Sequence, residues 1–264
     1  MNVPLPIPGA YVAGEGPPLA LLHGVGTDHR AFRPQLVRLH KRFRLIAWDM
    51  PGYGMSPVLP ETTWPALADA LARLLDAQRI DRAHVLGHSI GGMVAQTFAA
   101  RHPGRLRSLI LSATSPAFGK PDGEWQREFV RQRLAPLENG ATLRDLAPET
   151  VAKLVGPKAD KAAREFAIAC MAEVPVPAFA AAIKLIVTFD GRGDLPNIGA
   201  PTLCLAGERD TNAPAEMMAK MAAKIPGAEY AVLPGVGHLG NIEDPAAFDA
   251  AVTEFVEGVE NGDR

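Results

Sequence analysis

Apolar residues follow two patterns along the chain. Short, nearly unbroken apolar runs predict strands at "PLALLHG" (18–24), "FRLIAWD" (43–49), "AHVLGHS" (83–89), "LRSLILSAT" (106–114), "PTLCLAGERD" (201–210) and "AEYAVLPGVGH" (228–238). Continuous rather than alternating apolar runs are expected for parallel strands covered on both faces. Between them, "TTWPALADALARLLDAQ" (62–78) and "GGMVAQTFAARH" (91–102) place apolar residues at helical spacing. The last helix has a start signal in Asp244 as N-cap and Pro245 at the first helical position, before "AAFDAAVTEFVEG". Strands alternating with helices predict an α/β fold with a parallel sheet and right-handed crossovers.

The alternation lapses between about Ser115 and Pro196. Helix formers dominate there, in "EWQREFVRQRLAPL", "ADKAAREFAIACMAEV" and "PAFAAAIKLIVTF", and no strand stands out. The predicted organisation is a core of residues 1–114 and 196–264, interrupted by a helical insertion at 115–195.

Composition narrows the function classes. The 264 residues are 47% hydrophobic and 21% charged, which suits a globular chain with a substantial core. Net charge is −2 and no Lys/Arg stripe is present, so no nucleic-acid partner is expected. Cys170 and Cys204 form no CxxC pair and no metal-ligand spacing. They read as reduced, buried thiols, with no metal and no organic cofactor implied. The start, "MNVPLPIPGAYVAGEG", lacks a basic segment followed by an apolar one. The longest apolar stretch, "VPVPAFAAAIKLIVTF", is broken by Pro175, Pro177 and Lys184. A span needs about 20 apolar residues, so the expectation is a soluble, cytoplasmic protein with no membrane partner.

Candidate chemistry centres on "LGHSIGGM" (86–93), which sets Ser89 among Gly87, Gly91 and Gly92. Each glycine costs backbone entropy, so a structural reason is needed. The motif follows a predicted strand and opens a predicted helix. In that context a sharp turn pushes the serine hydroxyl out at the carboxyl edge of the sheet. Serine needs a base to take its proton. His238, in the loop "GVGHLG" after the last strand, is the candidate, because His23, His29, His40, His84 and His88 all precede Ser89 and His102 falls at the far end of the helix after Ser89, toward the opposite edge of the sheet. Asp210 ends the strand "LCLAGERD" and is the candidate carboxylate to orient the imidazole, with Glu208 as its local rival. Two N–H donors for a tetrahedral oxyanion are expected from Ile90, directly after Ser89, and from Val25 in "HGVG". His23 reads as a structural histidine of that loop, and Asp49 as a loop-structuring carboxylate.

Together, "LLHGVG", "WDMPGYGMS", "VLGHSIGGMVAQ", "LCLAGERD" and "LPGVGHLGNIEDP" resemble the α/β-hydrolase superfamily over essentially the whole chain. The resemblance implies the α/β-hydrolase fold, a mostly parallel sheet flanked by helices, with 115–195 as a helical cap over the site. Among subfamilies the chain is most similar to the 3-oxoadipate enol-lactonase group and related small-molecule esterases, chiefly through "IPGAEYAVLPGVGHLGNIEDPAAF". In "WDMPGYGMS", Pro51 stands where the lactonase-like pattern has arginine, and some carbon–carbon bond hydrolases carry proline there. The readings are therefore a serine hydrolase of small esters or lactones, a carbon–carbon bond hydrolase or cofactor-free lyase or oxygenase on the same residues, or a non-catalytic ligand-binding member. Substrate contacts are assigned to His23, Gly24, Trp125, Phe129, Arg133 and Leu239. For Arg127, Arg131 and Arg133 the competing reading is a solvated helix face beside Glu124 and Glu128.

Overall fold

The computed structural model describes residues 5–120 and 122–264. Seven strands form one sheet: β1 (Ala10–Ala13), β2 (Pro18–Leu22), β3 (Arg44–Trp48), β4 (Ala83–His88), β5 (Leu106–Ser112), β6 (Thr202–Gly207) and β7 (Glu229–Leu233). Their order is β1-β3-β2-β4-β5-β6-β7. β1 pairs antiparallel with β3, with Ala10 opposite Trp48, and every other pairing is parallel. All six strands expected from the apolar runs are present. β1 is the addition, and its half-exposed "AYVA" has no buried run to announce it.

The continuous apolar strands β2 to β6 are buried on both faces, whereas β7, also expected to be covered, is a half-exposed strand at the sheet edge. Ala20, Leu22, Ile46, Trp48, Val85 and Leu109 pack toward α2 (Trp64–Ala77), α3 (Ile90–Arg101) and α8 (Ala215–Ala222). Their neighbours Leu19, Leu21, Leu45, Ala47, Leu86 and Ile110 pack on the other face, against α1 (Arg33–Leu39) and α10 (Pro245–Glu260). The side-chain period of two separates these sets. Asp244 caps α10 by accepting a hydrogen bond from the Ala247 N–H at 3.1 Å, with Pro245 following. Between α8 and α10 lies α9 (Gly240–Glu243).

Four helices separate β5 from β6: α4 (Glu124–Glu138), α5 (Leu143–Leu154), α6 (Lys161–Ala172) and α7 (Val176–Ile186). Three correspond to the helix-forming stretches of the sequence. The fourth, α5, carries Pro148 in its body, a residue that argues against a helix. A reciprocal cap starts it nonetheless: Thr142 Oγ1 accepts from the Asp145 N–H, and Asp145 accepts from the Thr142 N–H. The insertion reaches the strand ends through several contacts. The Trp64 indole donates to Thr188 Oγ1 at 3.0 Å, and Leu154 O accepts from the His238 N–H at 2.7 Å. Among the described residues, no single helix is long and apolar enough to cross a membrane.

Candidate active site

β4 is wholly buried and ends at His88; α3 begins at Ile90. Ser89 alone makes the turn, at φ +55° and ψ −120°. A non-glycine residue in that region stores strain of about 1–3 kcal/mol, retained where surrounding structure enforces it. Here the enforcement is visible. The Ser89 N–H donates to Ser112 O at 3.0 Å, and Thr114 Oγ1 donates to Ser89 O at 2.7 Å. The glycines have a steric cause. A Cβ on Gly87 would strike the Gly91 carbonyl, one on Gly91 the Leu22 carbonyl, and one on Gly92 the Thr114 side chain. Strand and helix pass too closely for side chains.

Two loops from distant parts of the chain converge on the turn. His238, after β7, places Nε2 3.1 Å from Ser89 Oγ and Nδ1 2.7 Å from Asp210 Oδ2. Asp210, after β6, has its other oxygen held by the Asn212 and Ala213 N–H groups at 2.8 and 3.0 Å. Burial by itself would raise the Asp210 carboxyl. His238 and the two N–H donors outweigh it and hold the group below the usual carboxylate range. Glu208 turns elsewhere: it accepts from the Gly235 N–H at 2.7 Å and lies half-exposed beside Arg209. Of the two rival carboxylates, Asp210 is the one against His238.

The "HGVG" loop lies beside the serine, since a Cβ on Gly24 would sit 3.5 Å from Ser89 Cβ. His23 Nδ1–H donates to Gly24 O at 2.8 Å, and His23 Nε2 accepts from the Met50 N–H at 2.9 Å. Both ring nitrogens are thus committed to backbone. His23 holds the loop, the structural role expected of it, and its ring nitrogens have no free hydrogen-bonding capacity for a ligand. The Thr27 hydroxyl also donates to Gly24 O, at 3.3 Å. Because a trans peptide sets C=O and N–H in opposite directions, pinning Gly24 O turns the Val25 N–H the other way. The same logic applies at Ser89, whose carbonyl accepts from Gly92 N–H at 2.9 Å as well as from Thr114. The Ile90 N–H therefore points away from the helix body. Among the described residues neither the Val25 nor the Ile90 N–H has an acceptor.

Glu243 was not anticipated from the sequence. Its buried carboxylate accepts from the Gly237 N–H at 2.9 Å and the Leu239 N–H at 2.8 Å, one on each side of His238. It also accepts from the Gly156 N–H at 2.7 Å, tying the α5–α6 link to the same loop. Its signal was the glutamate five residues after His238 in "HLGNIE", unreadable without knowing which amides it meets. His88 also lies here, buried, its ring centroid 5.1 Å from that of His238. Burial pushes its imidazole down to about 3, so it faces His238 uncharged.

The remaining expected contacts are dispersed. Leu239 is buried and packs with Ala31, Val151, Ala167 and Ile242. On α4, Phe129 meets the preceding Phe118 edge-on and Trp125 lies tilted against it, and the Arg133 guanidinium lies 3.4 Å over the Phe129 ring. Trp125 is 60% exposed. Arg131 pairs with Glu128 on a solvated face, as the competing reading held. Asp49 is fully buried and accepts from the His29 and Met55 N–H groups, a loop-structuring role. Asp28, His29 and Asp49 bring ligand-type atoms within 4.8 Å of one another, but Asp28 is engaged by Arg30 and Asp49 by His29.

A serine on a strained strand–helix turn after β4, with a carboxylate delivered after β6 and a histidine after β7, defines a hydrolase-type site on this sheet. The chain belongs to the α/β-hydrolase family, whose alpha/beta hydrolase fold pattern matches residues 17–245. It is 29% identical over 247 residues to 3-oxoadipate enol-lactonase 1 of Acinetobacter baylyi, covering 92% of this chain and 90% of that one. It is 31% identical over 248 residues to the pimeloyl-[acyl-carrier protein] methyl ester esterase of Chromobacterium violaceum, covering 92% and 96%. Among solved structures, a malate-bound thermophilic esterase from Thermogutta terrifontis superposes with a TM-score of 0.87 at 31% identity, covering 96% of this chain and 93% of that one.

Proposed function

We propose that the protein is a serine hydrolase that cleaves a small-molecule carboxylic ester or lactone through an acyl-enzyme on Ser89. The observation that carries this reading is the relay from Ser89 Oγ to His238 Nε2 at 3.1 Å and from His238 Nδ1 to Asp210 Oδ2 at 2.7 Å. Relatives named as an enol-lactonase and a methyl ester esterase support the substrate class.

In the first step Ser89 Oγ attacks the ester carbonyl carbon while His238 Nε2 takes its proton. The developing oxyanion accepts hydrogen bonds from the Val25 and Ile90 N–H groups. Asp210 stabilises the imidazolium and keeps the ring oriented. The tetrahedral species collapses, the carbon–oxygen bond to the alcohol breaks, and His238 returns the proton to the leaving oxygen. With a lactone the alcohol stays attached to the acyl group. Water then attacks the acyl-enzyme, His238 accepts its proton, and Ser89 is released with the acid.

Residues 115–195 act as a lid in this reading. Met171 on α6 lies 3.7 Å from the position a Cβ on Gly26 would take, a proximity that supports the lid reading. Cys170 and Cys204 are free, and burial pushes both thiols up to about 12, as fits inert cysteines in a reducing cytoplasm.

The test is intact-mass analysis after treatment with a small fluorophosphonate, beside Ser89→Ala. One adduct per chain, absent from the variant, is expected, with turnover on an ester and lactone panel that the variant lacks. A folded wild-type protein that takes no adduct and turns over no ester or lactone overturns the proposal.

A further inference from the structure

At the amino ends of the parallel strands, on the edge of the sheet opposite Ser89, lies a cavity of about 310 Å³. Arg44, Arg79, Arg82 and Arg107 line it, and Asp81 is the single carboxylate among the lining residues. β4 separates this cavity from Ser89 by six residues, roughly 20 Å of strand. The two sites are independent, and nothing below rests on the hydrolytic reading.

Four arginines line this one concavity in a chain of net charge −2. Several arginines elsewhere meet carboxylates, among them Arg30 with Asp28, Arg38 with Asp249 and Arg192 with Asp190. Here only Arg107 does, pairing with Glu260 at 2.7 Å. Arg44 donates to the neutral Gln78 amide oxygen at 2.9 Å, and Arg82 donates to Leu106 O at 2.6 Å. Among the described residues, the Arg79 guanidinium has no hydrogen-bond partner and no ion pair. The carboxyl end of α2 contributes roughly half a negative charge nearby, too little to offset the cluster.

Arg79 also holds an expensive position. It follows the α2 C-cap at φ +58°, with its N–H donating to Asp76 O and the Ile80 N–H donating to Leu75 O. This is the helix-end motif in which glycine is favoured, because a Cβ is strained there.

We propose that this cavity binds a small phosphate-bearing anion. Planar guanidinium forks match phosphate oxygens two at a time, and a tetrahedral group presents oxygens to several forks at once. The volume exceeds that of a phosphate alone and accommodates the remainder of a small metabolite. Bound charge relieves the mutual repulsion of Arg44, Arg79 and Arg82.

The probe is inorganic pyrophosphate, titrated calorimetrically into the full chain at low salt. One saturable site per chain is expected, with Kd below about 1 mM. Arg79→Gly should weaken binding about tenfold or more, while its Tm rises because the backbone strain is relieved. That variant separates loss of the site from loss of the fold. Ser89→Ala and Arg131→Gln, on the far edge and on the exposed face of α4, should titrate like wild type. Absence of saturable binding up to about 10 mM, more than tenfold above the expected Kd, overturns the proposal. Unchanged affinity in a folded Arg79→Gly variant does so equally.

Discussion

Replacing Glu243 by glutamine should damage both the His238 loop and the rate. The carboxylate accepts three N–H groups: Leu239 on one oxygen, and Gly156 and Gly237 on the other. A glutamine of the same shape must turn its NH₂ toward one of these two sets. The less costly choice faces the Leu239 N–H, which leaves one buried donor unsatisfied and opposed to another donor. That costs about 1–3 kcal/mol, and the bonds kept to the neutral oxygen are weaker by about half. A destabilisation of about 2–4 kcal/mol follows, read by urea unfolding. The released amides flank His238, whose Nε2 must stay near Ser89 Oγ. A displacement of about 1 Å costs about 100-fold in rate, so kcat on an activated aryl ester should fall about 10- to 100-fold with KM nearly unchanged. The split matters, because general loosening of the fold would also disturb KM. A Glu243→Gln protein with wild-type kcat and wild-type stability would refute this positioning role.

Three further outcomes are expected. Asp210→Asn should keep the fold and lower kcat by up to about 10⁴-fold, because asparagine favours the wrong imidazole tautomer; a wild-type rate would remove Asp210 from the mechanism. Burial holds His84 at about 4 and His88 at about 3, so below pH 6.5 the unfolded chain binds protons that the folded one refuses. Stability should therefore fall as pH drops from 6.5, by about 2 kcal/mol per histidine at pH 5. Asp249, raised by burial, opposes this in part; equal urea midpoints at pH 7 and pH 5 would contradict two buried neutral imidazoles. Gly87→Ala drives a methyl into the Gly91 backbone, and should cost about 1–3 kcal/mol or more in thermal or urea unfolding. A neutral result there would mean that β4 and α3 can separate freely.

The sequence by itself determined six of the seven strands, their parallel sense and the placement of Ser89, Asp210 and His238 after β4, β6 and β7. These follow from local patterns, since a strand buried on both faces must be apolar throughout and a reactive serine between strand and helix must be flanked by glycines. Tertiary structure alone decided the rest. β1 is a half-exposed edge with no apolar run, and α5 overrides Pro148 through its cap and its packing on α6. Asp210 is already the candidate over Glu208 in the sequence, and the fold adds the partners: His238 for Asp210 and the Gly235 amide for Glu208. Glu243 gains its role from the Gly156 amide, 87 residues away. The arginine cavity gathers side chains from residues 44 to 107. Burial preference is carried by each residue, whereas a hydrogen bond or a charge cluster exists only once the folded chain brings its parts together.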